Sequence, residues 1–500
     1  MAENPRAPDR AVEAGRGAIF IGAAKIWFIV SGFIQQLLLP RLLGTAGYGD
    51  YGVVSNAVSV LNNATVQGTI NSVSKFTSED DRRADPVKLA GLKLQMIVGG
   101  VLALVFFVSA PLFAQYYKHP EFTPLFRIVA LIPLLYSIYS VFVGSANGLR
   151  RFRAQAGFDI SFSTTKTVLV AAGAVVAGVA GTLVGWVVTA LVVLILSAVV
   201  MRLPRRDQAA GAFPMRRLLT FMGGIVLYTL LINLALNLDI LLLRRFTALG
   251  AAAAHASELS GQYQGVRTFA LLPYQLCLAI TFVIFPMVSR STFEQDREAT
   301  RVYVNQTLRY AIMLSGAVAA VVVARPAGLL TLVYPAAFRE GAPALPVLVA
   351  GIVCLSLMGV SGSIINASGR LRATVLLTAL TVVAGTAAAF VVVPGQPPGP
   401  AMLTAAAAAT SFGMAVGMVA ALIYLKRHFG GAAPLATVVR VSVSVSVSVG
   451  VARLVPGEGK LITLVTLPLA GIVFLAALIL IREFGPEDRA KFARILGKRN

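Results

Sequence analysis

About fourteen apolar stretches follow one another along the 500 residues of the chain, nearly all long enough to cross a bilayer, and they leave almost nothing from which a soluble domain could be built. A hydrocarbon core roughly 30 Å thick needs about 20 apolar residues of helix. Backbone polar groups inside it find no water and must pair within the segment, so such runs become helices. Hydrophobic residues make up 57% of the sequence and charged ones only 13%, with a mean hydropathy of +0.80, far from soluble globular usage. The expected fold class is therefore an all-α integral membrane protein with about 14 transmembrane helices.

Spans are expected near 18–39, 51–73, 92–115, 123–146, 158–178, 181–201, 218–243, 264–288, 303–324, 343–366, 373–393, 401–425, 437–454 and 461–481. The stretch 437–454 alternates Val with Ser and would read as a strand in water. An isolated strand cannot satisfy its backbone in lipid, so a helix is expected there too.

Basic residues set the orientation. With the N-terminus inside, one side collects Arg6, Arg10 and Arg16, then Lys75, Arg82, Arg83, Lys88 and Lys93, then Arg150, Arg151 and Arg153, and finally the basic tail. The opposite loops hold far fewer, such as Arg41, Lys118, Arg245, Arg339 and Lys460. Both termini are expected in the cytoplasm, with the first span acting as a topogenic anchor after a polar start. The net charge of +22 is spread over many short loops, which argues against nucleic acid as a partner. Cys277 and Cys354 fall in spans and have no metal or disulfide spacing; His119, His255 and His428 lie singly in loops and read as solvated surface. No metal site or cofactor is expected.

The chain also repeats itself. Val73 to Arg82, after the second span, and Val288 to Arg297, after the eighth, share six identities and one Lys/Arg exchange. Gly49, Asp50, Tyr51 pair with Gly261, Gln262, Tyr263, and Ala146, Asn147, Gly148 with Ala367, Ser368, Gly369, in the same order. Two parallel-topology six-helix lobes follow, 1–217 and 218–436, then two extra helices in 437–482 and a basic tail over 483–500. Transporters built from parallel repeats place substrate between the halves.

The stretch Leu39 to Gly52, the Val-Ser-Lys/Arg loops after spans two and eight, Pro286 before the second of these, and Asn147 to Arg151 resemble oligosaccharide flippases of the multidrug/oligosaccharidyl-lipid/polysaccharide exporter superfamily. The resemblance covers nearly the whole length. It implies a flippase that turns a polyprenyl-diphosphate-linked oligosaccharide from the cytoplasmic to the periplasmic leaflet of a bacterial inner membrane. It also implies a cavity lined mainly by helices one, two, seven and eight, a groove for the lipid tail on helices thirteen and fourteen, and polymerase or glycosyltransferase partners. Membrane lipids surround it in any case. The lipid II branch carries an Arg-Asp pair in the first helix where this chain has Gln35 and Gln36, which argues against lipid II.

Polar stripes agree with a wet cavity. Lys25, Gly32 and Gln36 share a face of span one; Asn56, Ser59, Asn63 and Gln67 stripe span two; Thr229, Asn233 and Asn237 stripe span seven; Tyr263, Arg267, Tyr274 and Thr281 stripe span eight. Lys25 and Lys166 lie within spans, where an unpaired charge costs at least about 2.5–3.5 kcal/mol, and a diphosphate would match them. Structural readings stand beside this: an interhelical bond for Lys25, a Lys166–Asp159 network, and a snorkelling Arg309. Asp239 is a candidate for proton or Na+ coupling, or else belongs to an ion pair with Arg244, Arg245 and Arg267 at an outer gate. Rival functions are a multidrug or cation-coupled antiporter of the same superfamily, and a polysaccharide polymerase or ligase. The longest outer loop, near 244–263, is rich in Ala and Ser and holds no catalytic set, which argues against an enzyme.

Overall fold

The computed structural model describes residues 7–204, 212–277, 297–457 and 459–484. They are helical nearly throughout, and no strand occurs among them. The helices are α1 (Ala7–Glu79), α2 (Ala84–Tyr116), α3 (Phe122–Val129), α4 (Leu131–Gly148), α5 (Phe152–Met201), α6 (Met215–Gly250) and α7 (Ala253–Ala270). After them come α8 (Arg297–Ala324), α9 (Pro326–Val333), α10 (Ala344–Ala367), α11 (Leu371–Val392), α12 (Pro400–Phe429), α13 (Leu435–Leu454) and α14 (Lys460–Leu480).

Among the described residues, eleven segments are long and apolar enough to cross a membrane. Two of them hold two expected spans each, because α1 breaks at Gly44 (φ 69°) and α5 at Ala177 and Gly178 (φ 56°). A left-handed residue turns the chain back within one step, and glycine takes that conformation without a Cβ clash. The expected span 264–288 begins in α7, and its part beyond 277 lies outside the described residues, as do Thr281, Pro286 and the loop 288–296.

The expected span 123–146 is one segment, 122–148, long and apolar enough to cross a membrane, with a turn at Ala130 between α3 and α4. Two expectations are corrected. The expected outer loop 244–263 is helical except near Ala251 and Ala252, since alanine is the strongest helix former even where apolar bulk is missing. Lys88, counted among the solvent-side charges, is only 4% exposed; its Nζ donates to Asp85 Oδ1 at 2.9 Å and to the Met201 and Arg202 carbonyls that end α5.

The Val/Ser stretch is the helix α13, as expected. Its serines at four-residue spacing face inward: Ser444 and Ser448 are fully buried, and Ser448 Oγ donates to the Ala470 carbonyl of α14 at 2.6 Å. Alternation thus supplies small, self-satisfied side chains at a helix contact, the means by which helices approach closely in lipid.

By packing, the chain divides into residues 1–261 and 262–500. The repeat halves expected from sequence are a division of topology. The packing division falls later because α6 lies lengthwise against the second part of α1, at Thr69 and Met222, for example.

In the second unit, α13 and α14 are fastened to α8 at both ends. At one end Glu483, 2% exposed, receives Arg309 Nε at 2.8 Å, Arg440 Nη1 at 3.0 Å and Thr437 Oγ1 at 2.7 Å. Arg309 is therefore an ion-pair partner rather than a snorkelling residue. Burial alone would raise the Glu483 carboxyl, but the hydrogen bonds from Arg309, Thr437 and Arg440 outweigh it and hold it below its ordinary range. At the other end Arg325, following α8, donates Nη1 to the Gly457 carbonyl at 2.7 Å and Nη2 to those of Ala452 and Val455. Between these ends the core is apolar, with Leu308, Ala311, Val441 and Phe474 buried together.

Candidate functional site

Seven of the cavity residues expected from sequence fall in the first unit. Four of them lie on α1, which meets α5 through a polar ladder. Lys25 Nζ pairs with Asp159 Oδ2 at 2.8 Å, Trp27 Nε1 donates to Thr164 Oγ1 at 2.9 Å, and Ser31 Oγ donates to the Ser163 carbonyl at 3.0 Å. The buried face of α1 is Ala24, Ser31, Gln35 and Leu39; Lys25, Gly32 and Gln36 lie on the adjoining, more open flank, where 49% of the Lys25 side chain is exposed. Asp159 is thus the partner of Lys25 and not of Lys166. Lys166 instead sits over the rings of Trp186 at 4.7 Å and Phe162 at 5.8 Å, a cation–π seat that partly replaces lost hydration. Gln36 Oε1 accepts from Tyr48 and Gln35 Nε2 donates to Tyr51, tying the two halves of α1 together near the Gly44 turn.

The second part of α1 and α6 form an antiparallel seam held by polar pairs at three levels. Asp50 faces Arg244 at 3.7 Å, Asn63 Nδ2 donates to Asn233 Oδ1 at 3.0 Å, and Arg217 Nη2 meets Glu79 at 3.1 Å. Positions rise along one helix as they fall along the other, so these pairs share one register. Asn63 and Asn233, assigned separately from their stripes, are each other's partners. Asn56 and Asn237 donate within their own helices, to the Gly52 and Asn233 carbonyls.

The level nearest the Gly44 turn was missed by sequence reasoning and is the most densely polar. Asp50 Oδ1 accepts from Ser257 Oγ at 2.6 Å, its Oδ2 lies 3.6 Å from His119 Nε2, and Arg244, 0% exposed, faces it from α6. The His119 ring stacks on Phe122 at 4.6 Å, and the Arg244 guanidinium lies 5.2 Å from that same ring. His119 is therefore buried in a four-element cluster, not solvated surface. The loop folds this way because Lys118 takes a left-handed turn (φ 50°) and His119 N bonds back to the Ala114 carbonyl at 2.9 Å. Backbones come into contact beside the cluster. A Cβ on Gly49 would lie 2.0 Å from the Ser257 carbonyl oxygen, and one on Gly261 would lie 1.9 Å from that of Thr45. These are the two glycines the repeat pairs, and their motif also carries Asp50, the one signal that could have located the cluster.

Arg244 thus pairs with Asp50 rather than joining Asp239. Asp239, 7% exposed, accepts the Ile240 backbone N–H at 2.8 Å through Oδ1. Arg267, in the second unit, is 3% exposed and donates to Gln264 Oε1 at 2.8 Å. Among the described residues no group of three or more His, Cys, Asp and Glu is placed to hold a metal ion.

Helices nearly throughout the described residues, eleven segments of them long and apolar enough to cross a membrane, define a polytopic membrane protein. The chain belongs to the polysaccharide biosynthesis protein family, whose model matches residues 14–292, more than half its length. Its fold is that of the multidrug/oligosaccharidyl-lipid/polysaccharide exporters. It is similar to the lipid II flippase MurJ in an inward closed conformation, with a TM-score of 0.75 and 12% identity over 93% of this chain and 99% of that one. It is also similar to an inward-facing multidrug resistance MATE family transporter of the MOP superfamily, at 0.67 and 14% over 81% and 94%. A third likeness is to a MOP superfamily transporter from Pyrococcus furiosus, at 0.58 and 15% over 87% and 95%. No curated protein sequence matches the chain.

Proposed function

We propose that the protein moves a polyprenyl-diphosphate-linked oligosaccharide from the cytoplasmic to the periplasmic leaflet of a bacterial inner membrane, for polysaccharide assembly. Membership in a polysaccharide biosynthesis family carries the reading. The chemistry of the first unit supports it: Lys25 is half exposed and held by a single carboxylate that a diphosphate can replace, because phosphate oxygens accept the same charge-assisted bonds. Lys166 and Arg267 are the further cationic groups for the headgroup. Gln36, Asn56, Asn63, Asn233 and Asn237 provide amides for the sugar hydroxyls once the seam parts. The cycle is alternating access, in which the α1–α6 seam separates and closes while the polyprenyl chain stays in lipid, against α13 and α14. Asp239 is the proposed site of proton or Na+ coupling. Partners in this reading are polymerases and glycosyltransferases that make and use the same lipid-linked sugar.

Translocation of a fluorescent polyprenyl-diphosphate oligosaccharide in proteoliposomes, under an imposed ion gradient, tests it. Wild type should transport, and folded Lys25→Ala and Arg267→Ala variants should lose at least about tenfold in rate, the loss of one charge-assisted contact. Transport no faster than in protein-free vesicles, across several glycans, would favour the drug or cation antiporter, whose fold the chain also shares.

A further inference from the structure

His119 is a buried base with an uncommitted lone pair. Its Nε2 faces the Asp50 carboxylate, so a neutral ring keeps its hydrogen on that side and its lone pair on Nδ1. Nδ1 is buried without a hydrogen-bond partner, and with no N–H or O–H donating to it the lone pair is open to a proton. The contacts around Asp50 are also loose. His119 Nε2 stops 3.6 Å from Oδ2 and Arg244 Nη2 stops 3.7 Å from Oδ1, both beyond an ordinary N–H···O bond. Arg244 Nε and Nη2, the edge of a guanidinium that can grip a carboxylate with two bonds, are buried without hydrogen-bond partners. Glu121, at the start of α3, adds a second negative charge near Asp50, so two carboxylates stand against one buried guanidinium. The His119 ring lies parallel to Phe122, 4.6 Å away at an interplanar angle of 4°, and a cation over that face is attracted to it.

We infer that a proton on His119 fastens the α1–α6 seam at this end and that its loss at higher pH loosens it. The protonated ring evens the charge of the cluster and turns a loose contact with Asp50 into a charge-assisted hydrogen bond. That bond exists only while the loop before α3 and the second part of α1 stay together. The closed seam therefore binds the proton more tightly than the open one, and by linkage acid favours closure. Histidine is the side chain whose ordinary titration, at about 6.5, makes this a switch near neutral pH. The other charged groups around the ring are engaged or turned to solvent. Lys118 and, on α1, Arg41 are exposed; Arg245 of α6 donates to the Tyr116 carbonyl; Arg127 of α3 lies over Phe107; His255 and Glu258 of α7 pair with each other at 3.4 Å. On α5, Asp159 holds Lys25 and Lys166 lies over Trp186, α4 carries no charged residue, and Asp85, Lys88 and Lys93 sit toward the far end of α2. Tyr48, Tyr51, Tyr116 and Tyr117 are uncharged in this range. The switch concerns closure alone, at a group distinct from Asp239, and stands whatever the cargo.

The test is amide hydrogen exchange of the full-length protein in nanodiscs from about pH 5.5 to about pH 8, either side of the ordinary histidine value. Rates are divided by those of an unfolded reference peptide at each pH, which removes the chemical pH dependence and leaves the opening of residues 45–52 and 253–261. Wild type should open about tenfold more at the upper pH, the size of one charge-assisted hydrogen bond, with α10 unchanged. His119→Gln, uncharged throughout, should open equally at both ends of the range, and Asp50→Asn, which keeps the ring but removes the carboxylate, should also lose the pH dependence. His255→Gln removes the exposed histidine inside the reporting stretch and should keep the wild-type profile. A flat profile in wild type would overturn the inference whether or not the variants fold. So would opening that rises toward acid, which would place the proton on Asp50, a pH effect that survives in His119→Gln or disappears in His255→Gln, or an equal change in α10, which would mark a loosening of the whole molecule.

Discussion

Asp50→Asn tests whether the buried cation of Arg244 holds α1, α6 and α7 together. Arg244 is 0% exposed, with Asp50 Oδ1 3.7 Å from its Nη2, while the same oxygen accepts from Ser257 Oγ at 2.6 Å. The amide preserves shape and can still accept from the serine, but it leaves the guanidinium buried against Phe122 without that carboxylate. Removing one partner of a buried pair costs about 3–5 kcal/mol. The 3.7 Å separation is long for a charge-assisted hydrogen bond, and 15% of the Asp50 side chain remains exposed. The lower end therefore applies, about 3 kcal/mol, or a factor of roughly 150 in the opening equilibrium. Amide hydrogen exchange over residues 45–52 and 253–261 in nanodiscs should accelerate about 100-fold, with α10 to α12 unchanged. Arg244→Met should open the crossing as well, since it strands the carboxylate instead. The double variant should recover at least about 1 kcal/mol of the summed effects, because it removes both charges. Wild-type exchange in Asp50→Asn, or strict additivity in the double variant, would refute the reasoning.

Gly49→Val should open the same crossing by sterics, since even its Cβ would lie 2.0 Å from the Ser257 carbonyl; unchanged exchange in 253–261 would show that the backbones are not in contact. Asn63→Ala and Asn233→Ala should couple by about 0.6 kcal/mol in a thermal-unfolding double-mutant cycle, the average for interhelical polar pairs in membranes, and zero coupling would count against the seam register. Asp159→Ala should keep transport while Lys25→Ala loses it, if Lys25 serves substrate; equal losses, with recovery in the double variant, would make the pair structural. Glu483→Gln should lower stability by about 3 kcal/mol, the lower end for a buried pair because both arginines are partly solvated. Because the Glu483 carboxyl is depressed in the fold, its contribution is present above its ordinary value of 4.5 and fades as pH falls through the lower folded value. The gap in melting temperature between wild type and Glu483→Gln should therefore narrow below that pH, and a gap constant into strong acid would contradict the assignment.

Helices were legible because apolar length and the need for internal backbone pairing leave no other solution, and even the Val/Ser alternation of α13 yields to that constraint. The Asn63–Asn233 contact was half legible, each amide standing out in its own stripe. What a stripe cannot supply is register between helices, because i, i+4 spacing reports on one helix alone. Given that single contact, antiparallel geometry predicts that Asp50 meets Arg244 and Glu79 meets Arg217, as the structure has them. His119 and Glu483 were illegible for another reason. Short loops and tails read as solvated by composition, yet a left-handed Lys118 turns His119 inward, and three donors draw Glu483, just past the last helix, against the middle of α8 and the start of α13.

The distribution of polar contacts bears on which parts of the molecule can move. Lipid is as apolar as a leucine side chain, so parting two apolar helix faces in a membrane forfeits little hydrophobic free energy. Helix contacts there are decided by close backbone approach and by polar pairs, and the two units use these differently. In the second unit, α13 and α14 are held to α8 by a carboxylate shared among three donors at one end and by three carbonyls on Arg325 at the other, so separating them would strand many groups at once. Away from the Asp50 level the α1–α6 seam has one polar pair per level, each between side chains that water could satisfy if the helices parted, and Arg217 and Glu79 are already about half exposed. Its closed state is favoured chiefly at the Asp50 end, by a buried ion pair beside a glycine contact. In the proposed cycle, a seam latched chiefly at one end would open when the latch yields, whereas the α8–α13–α14 group would move as one piece. Under the proposed alternating-access cycle, the Asp50 cluster is the place where substrate or ion binding has the most leverage, since a bias of a few kcal/mol there is enough to invert the populations.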